Sequence, residues 1–262
     1  MILGCSTSRF WPFERDLTKV LSVISEHVRV AEIWLEPPFY PSWRTSREKA
    51  DLDMLTDILV VTELDTTVHA PYHELGLCSW NNAVCALTVK EVLKSLDMAE
   101  EINASTVTFH AGLPRLSDGE CAGILRRNLE ALNDLAEGYS AKLCLENASH
   151  GVFSDVERML ELTCGLKNIY YTMDLAHLSI HGKDLREHRK ALKGKIRNAH
   201  VSCISKDGRH APLTRENECV RNSLKVLKSM KYPGAVILEG SIKGRPGEVI
   251  PKEIETYRRM LR

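Results

Sequence analysis

The sequence predicts an α/β fold, a closed (β/α)8 barrel, and three observations support this prediction. Short β-rich segments alternate with longer helical patterns, which implies parallel strands joined by helical crossovers. Eight strand–helix units divide the 262 residues into lengths of about 33 residues, which suits a closed barrel. A doubly wound open sheet would show a glycine-rich turn after its first strand, whereas this chain reads GCSTSRF there.

Each predicted element follows from local residue patterns, with strands as short β-rich runs and helices as segments of helical periodicity. The eight predicted strands are Ile2–Cys5, Val30–Leu35, Thr67–His69, Thr106–His110, Lys142–Glu146, Ile169–Asp174, Ile196–Val201 and Val236–Glu239. The eight predicted helices are Asp16–His27, Lys49–Leu59, Ala83–Ile102, Asp118–Glu137, Ser154–Thr163, Leu185–Leu192, Glu216–Met230 and Pro251–Leu261. No linker or composition shift interrupts the pattern, so residues 1–262 are expected to form one domain.

The amino-acid composition limits the kinds of molecule that this protein is expected to bind. The 35 basic and 35 acidic residues give a net charge of zero, so no basic excess favours non-specific binding to nucleic acid or anionic lipid. No apolar run reaches the roughly 18 residues of a membrane span, and the N-terminal segment does not resemble a signal peptide. The eight cysteines form no CxxC pair and are expected to be reduced thiols. A cytoplasmic protein without membrane or obligate protein partners is expected.

The most informative feature of the sequence is that residues of the types that bind metal ions stand where the predicted strands end. They are His69, His110, Glu146, Asp174 with His177 three residues on, His200, Glu239, and His210 in the loop after the seventh strand. In such barrels the C-terminal ends of the strands form one mouth, so these side chains should converge. Converging carboxylates and imidazoles need a compensating cation. Their donor atoms suit zinc, manganese or iron-like ions rather than calcium.

Several segments in these positions resemble those of a known family. They are VHAPYHELGL at 68–77, TFHAGL at 108–113, CLENAS at 144–149, MDLAH at 173–177, AHVS at 199–202 and ILEGS at 237–241. In order and spacing they resemble the xylose-isomerase-like TIM barrels, and most closely the endonuclease IV branch, also called AP endonuclease family 2. The histidine pair, His69 in HAPY and His110 after the fourth strand, favours that nuclease branch over the sugar isomerases and epimerases.

The resemblance implies up to three divalent ions, with zinc favoured. The first would be held by His69, His110 and Glu146; the second by Glu146, Asp174, His200 and Glu239; the third by His177 and His210. The nuclease branch has an acidic residue two positions before the loop histidine, where this chain has Gly208. The adjacent Asp207 is a possible replacement ligand. Two or three ions are therefore expected in the nuclease interpretation.

Two functions remain open. The resemblance favours a metal-dependent phosphodiester hydrolase acting on DNA with an abasic site, in which metal-activated hydroxide is the nucleophile and Glu146 orients it. The alternative is a sugar or sugar-phosphate isomerase or epimerase with one manganese-like ion. In that scheme Glu146 and Glu239 form an acid/base pair across the sugar. Both schemes use the same residues, so the sequence does not separate them.

Other side chains are expected to contact the substrate. Tyr72 in HAPY could stack on a base or a sugar, while Lys206 and Arg209 flank the loop after the seventh strand and could bind an anionic group. Glu36, at the end of the second strand, is expected to support the ligands or to pair with Arg9. A further basic pair, which could face phosphate or solvent, is Arg44 and Arg47.

Overall fold

The computed structural model describes residues 1–37, 39, 48–112, 118–242 and 244–262, the side chains of 48–51 and 118 excepted. Arg44 and Arg47 lie outside the described residues. Within the described ranges no helix is long and apolar enough to cross a membrane.

Eight parallel strands close into a barrel, which confirms the predicted fold class. In barrel order they are β1 (Ile2–Ser6), β10 (Ala235–Leu238), β7 (Ile196–Val201), β6 (Ile169–Asp174), β5 (Lys142–Glu146), β4 (Thr106–Phe109), β3 (Asp65–His69) and β2 (Val30–Trp34). A small antiparallel pair, β8 (Cys203–Ile204) and β9 (His210–Ala211), follows β7. The helices are α1 (Leu17–Ser25), α2 (Glu48–Thr62), α3 (Asn82–Glu101), α4 (Asp118–Leu135), α5 (Val156–Leu162), α6 (Leu175–Ile180), α7 (Arg189–Leu192), α8 (Glu218–Ser229) and α9 (Pro246–Met260).

The helical pattern departs from the prediction mainly after β6. Helix α6 begins directly at the end of that strand because the Asp174 side chain caps it, accepting a hydrogen bond from the His177 backbone N–H at 2.7 Å. The predicted helix Leu185–Leu192 is reduced to the short α7. Helix α9 begins at Pro246, because proline is compatible with the first turn of a helix, so the predicted start at Pro251 is wrong.

The barrel interior contains a polar layer below its C-terminal mouth. Thr108 and Thr172 share a hydrogen bond of 2.7 Å, although their strands β4 and β6 are not neighbours. Asn198 on β7 donates to Glu32 on β2 at 2.9 Å and to Thr108 at 3.1 Å. Contacts between non-adjacent strands can only run through the interior. The usual branched apolar filling of such a barrel is therefore replaced at this level by hydrogen-bonding groups.

Candidate metal centre

The predicted ligand residues lie together at the mouth of the barrel, because each stands at or near the C-terminal end of a parallel strand. His69, Glu146 and Asp174 are the last residues of their strands, and His200 is the penultimate residue of β7. His110 and Glu239 follow their strands by one residue. His177 comes from α6 and His210 from β9. Each of the eight predicted metal ligands therefore lies at the same end of the barrel.

These side chains form three groups in which the possible ligand atoms lie within 4.8 Å of one another. The outer group is His69, His110 and Glu146; the inner group is Glu146, Asp174, His200 and Glu239; the loop group is Asp174, His177 and His210. Glu146 belongs to both the outer and the inner group, and Asp174 to both the inner and the loop group. The outer and inner groups have the members that the family resemblance implies, whereas the loop group contains Asp174 in addition to His177 and His210.

The two oxygens of Glu146 face different groups. Oε2 lies 3.1 Å from His110 Nε2 and 3.4 Å from His69 Nε2, on the outer side. Oε1 lies 3.2 Å from His200 Nδ1, on the inner side. This arrangement is suited to a carboxylate that bridges two cation positions.

The remaining distances tie the inner and loop groups together. Glu239 Oε2 is 3.2 Å from His200 Nδ1 and 3.8 Å from His210 Nδ1. His177 Nε2 and His210 Nε2 are 3.0 Å apart, and Asp174 Oδ2 lies 3.7 Å from His177 Nδ1. The inner group thus presents three carboxylates around a single buried imidazole.

The donor set fits a divalent cation, because three of its carboxylate oxygens accept no hydrogen bond. Glu146 Oε2, Asp174 Oδ2 and Glu239 Oε2 are buried and accept no hydrogen bond from the described residues. Burying a carboxylate oxygen that accepts no hydrogen bond is costly, and a cation would remove that cost. Histidine and carboxylate ligands with no cysteine among them match a site for zinc, manganese or a similar ion.

Two histidines are also held in the tautomer that a metal ligand needs. His69 Nδ1 lies 2.9 Å from the carbonyl oxygen of Ala70, and His177 Nδ1 lies 2.9 Å from that of Asn147. A carbonyl oxygen only accepts hydrogen bonds, so Nδ1 carries the proton in each neutral ring. The Nε2 lone pairs are therefore free, and they point toward the other possible ligands.

Without a cation the cluster balances its charges with protons. Burial alone would lower the pKa of His69, but the contact with Glu146 and the charge of Glu32 outweigh it and raise that pKa to about 9. Burial opposes the charged form of His200 in the same way, yet the surrounding carboxylates raise its pKa well above the usual value. The pKa values of Glu146 and Glu239 are lowered despite burial, because interactions with neighbouring histidines favour the ionised form of both carboxylates.

Asp174 is the exception among the carboxylates, since burial raises its pKa. Its backbone is fixed by Asn147, whose side chain accepts from the Asp174 N–H at 2.7 Å and donates to the Asp174 carbonyl at 3.0 Å. The two neighbouring strand ends, β5 and β6, are thereby held in register at the mouth.

Glu36 supports the site, but its pairing with Arg9, one of the two expectations for it, is wrong. The Glu36 carboxylate accepts from the backbone N–H groups of Tyr72 and His73 at 2.6 and 2.8 Å and also contacts the His73 ring. Arg9 is fully buried and instead pairs with Glu253 on α9. Glu36 therefore fixes the segment that carries Tyr72 over the mouth.

A cavity of about 730 Å³ opens above the cluster. Tyr72 lines it, with its ring centroid 4.6 Å from that of His110. Arg209 also lines it, although its side chain is 85% exposed. Lys206 is exposed and is not among the described lining residues. Asp207 is exposed too and belongs to none of the three groups, so among the described residues it is not brought to the cluster.

Sequence reasoning missed Glu32, which is fully buried in β2 with Oε2 only 3.0 Å from His200 Nε2. The signal was present in the strand sequence VAEIW, where one carboxylate interrupts a run of apolar residues. A charge in the middle of a buried strand needs a partner, and here the partner is the ring of a predicted ligand.

Comparisons with known proteins agree with this geometry. A family model described as xylose isomerase-like TIM barrel matches residues 28–260, and the chain belongs to that family. An uncharacterized protein of Methanocaldococcus jannaschii, MJ1311, is 28% identical over 252 residues, covering 91% of this chain and 83% of the relative. A D-tagatose 3-epimerase-like protein superposes with a TM-score of 0.83 at 24% identity, covering 100% of this chain and 97% of the other. A D-allulose 3-epimerase from Methylomonas sp. gives 0.81 at 15% identity, with 100% and 98% covered.

These identities with solved structures are low, so the structural likeness shows the fold and not the reaction. The family assignment confirms the predicted superfamily, and the chain is accordingly placed among enzymes of the xylose isomerase-like type. The similar solved structures carry the names of sugar epimerases, and the expected endonuclease IV branch is not supported by them.

Proposed function

We propose that this protein is a metal-dependent isomerase or epimerase of a small sugar or sugar phosphate, and that the inner group is its catalytic centre. The observation that carries the proposal is the pair of the buried Glu146 and the half-buried Glu239, two carboxylates with oxygens that lie within 4.8 Å of each other. They come from β5 and β10, which are separated in the barrel by β6 and β7. The names of the similar solved structures support the same reaction class.

The two carboxylates act on one carbon atom of the sugar. A bound divalent ion would polarise the carbonyl and an adjacent hydroxyl of the substrate. Glu146 and Glu239 both have lowered pKa values, so either can accept a proton from the carbon next to the carbonyl. The other carboxylate takes up a proton from solvent beforehand and gives it to the opposite side of that carbon, and the first then releases its proton to solvent. Tyr72 lines the cavity above these carboxylates.

The cavity matches a small substrate better than a nucleic acid. Its volume of about 730 Å³ is within the range typical of small-molecule sites. Among the described residues that line it, Arg209 is the single lysine or arginine. A polyanion is normally bound through many such contacts.

Phosphodiester hydrolysis is the second candidate, and the outer and loop groups favour it. A one-ion isomerase has no evident use for His69 and His110 on one side of Glu146, or for His177 and His210 on the other. A multi-ion hydrolase would use all of them. DNA with an abasic site would then be the substrate to test.

Solvent exchange distinguishes the two reactions. Metal-stripped protein is reloaded with manganese or zinc and incubated in D2O with a panel of ketoses and ketose phosphates. Under the proposed function, deuterium enters the carbon next to the carbonyl, and NMR detects it together with the second epimer or isomer. A parallel reaction uses duplex DNA with a single abasic site. Strand cleavage without any deuterium exchange would refute the isomerase proposal.

Two variants sharpen the comparison. Glu239→Gln removes one acid/base group, and we expect exchange to fall at least about 100-fold, within the range typical for a general acid or base. His110→Ala removes a ligand of the outer group alone and should leave exchange within about tenfold of the wild type. Loss of exchange in His110→Ala comparable to that in Glu239→Gln would indicate that the outer cation takes part in the chemistry.

A further inference from the structure

We propose that Glu32 is a positioning residue that holds the His200 imidazole in the tautomer and orientation required to bind the inner cation. The inference rests on the inner group being a metal site, which is part of the proposed function, and it holds for either reaction. Its subject is a fully buried carboxylate on β2 that lies outside the three ligand groups.

The two ring nitrogens of His200 face different carboxylates. Nε2 lies 3.0 Å from Glu32 Oε2 on the barrel side. Nδ1 lies 3.2 Å from both Glu146 Oε1 and Glu239 Oε2 on the mouth side. Each nitrogen thus faces a carboxylate, and an ionised carboxylate accepts hydrogen bonds and donates none. A cation in the inner group would take the place of the Nδ1 proton, so the proton that the ring keeps is the one on Nε2, which faces Glu32. The lone pair of the neutral ring is then at Nδ1, directed at the inner group.

Glu32 can impose this orientation because it is itself fixed. Asn198 donates from Nδ2 to Glu32 Oε2 at 2.9 Å and to Thr108 Oγ1 at 3.1 Å. The Thr67 hydroxyl lies 3.5 Å from the same carboxylate oxygen. Glu32 therefore spans the interior from β2 to β7 within the polar layer and has little freedom to rotate.

A purely structural role does not account for this residue. Barrels of this type usually fill their interior with branched apolar side chains, and a buried carboxylate is expensive to desolvate. Its second oxygen, Oε1, accepts no hydrogen bond from the described residues. Asn198 and Thr67 are neutral donors to Glu32, whereas the ring of His200 is a contact that can carry a positive charge. Carboxylates that bind the far nitrogen of a ligating histidine orient the ring and strengthen metal binding.

The test measures metal affinity, with activity recorded separately. Wild type, Glu32→Gln and Thr172→Val are stripped of metal, and manganese and zinc are titrated calorimetrically. Thr172→Val is the matched control, because Thr172 bonds to Thr108 in the same polar layer but shares no hydrogen bond with Glu32 or His200. We expect Glu32→Gln to weaken binding of the tightest ion by about 10- to 100-fold and Thr172→Val to leave it within about threefold. Equal affinities in wild type and Glu32→Gln would overturn the proposal.

A second measurement needs no variant and covers the case in which Glu32→Gln fails to fold. Long-range proton–nitrogen correlation spectra of the zinc-loaded wild type report the tautomer of each histidine ring. A proton on Nε2 of His200, with zinc at Nδ1, supports the proposal; zinc at Nε2 contradicts it. Metal binding that depends on Glu32 without any sugar exchange would leave this inference standing while refuting the isomerase.

Discussion

Binding of a divalent ion should release protons from the metal-free protein. In that state His69 carries a proton up to a pKa of about 9, compared with an ordinary value of 6.5. At 1.36 kcal/mol per pKa unit, this difference corresponds to about 3 kcal/mol of interaction between the charged ring and its surroundings. A cation in the outer group must displace that proton. The affinity of the protein for that cation should therefore rise with pH, by up to about tenfold per pH unit below pH 9.

The stability of the metal-free protein, in contrast to its metal affinity, should fall as the pH rises. The pKa of His69 is higher in the folded than in the unfolded chain, so its contribution is fully present below pH 6.5 and is lost as the pH rises through 9. Melting temperatures of stripped protein should fall between pH 6.5 and 9.5, while those of the metal-loaded protein should not. His69→Gln is the control and should abolish most of the pH dependence.

Calorimetry provides the direct measurement. Zinc is titrated at pH 7 in two buffers with different ionisation enthalpies, so that the difference in apparent heat counts the protons released per ion. We expect at least one proton per ion at pH 7 and fewer at pH 9.5. No proton release at pH 7, together with an affinity that does not change up to pH 9.5, would refute the assignment of these histidines as proton-exchanging ligands.

Three substitutions test other parts of the structure. Glu146→Gln should abolish catalysis and lower metal affinity without unfolding the protein, as circular dichroism and activity assays would show; unfolding would make Glu146 a structural residue. Gly240→Ala should destabilise strongly, because an added Cβ would lie 2.0 Å from the carbonyl oxygen of Ala211, and a normal melting temperature would contradict that packing. Arg9→Met should lower the free energy of unfolding by about 3–5 kcal/mol, because the Glu253 carboxylate is then buried without its charged partner. The double variant Arg9→Met with Glu253→Met should recover part of that free energy, and chemical denaturation measures both.

The barrel and the convergence of the candidate ligand residues could be predicted because both depend on patterns local to each strand. Parallel strands that alternate with helices place every C-terminal strand end on the same face. A residue such as Glu146 or Asp174 at a strand end is therefore located by its position in the sequence alone. The three ligand groups of the structure contain the eight predicted metal ligands and no others among the described residues.

The contacts between distant parts of the site could not be predicted, because they depend on which elements face each other in the folded barrel. Glu32 and His200 are 168 positions apart, and their contact follows from the side-chain register of β2 and β7. The pairing of β8 with β9, which presents His210 to His177, depends on a two-residue strand pair too short to have a sequence pattern. Asp207 was a reasonable ligand candidate by position, but the turn between these strands leaves it exposed.

The bridging position of Glu146 links the number of bound ions to the choice of reaction. Two divalent ions that share one carboxylate repel each other, so the second ion should bind more weakly than the first. The inner group offers three carboxylates and should fill first, which is sufficient for a sugar isomerase. The outer group offers two histidines and only the shared carboxylate, so its ion should bind more weakly, and an anionic substrate would strengthen that binding by offsetting the repulsion. A large gain in affinity for the second ion when a phosphodiester is added would favour hydrolysis; no gain would favour isomerisation.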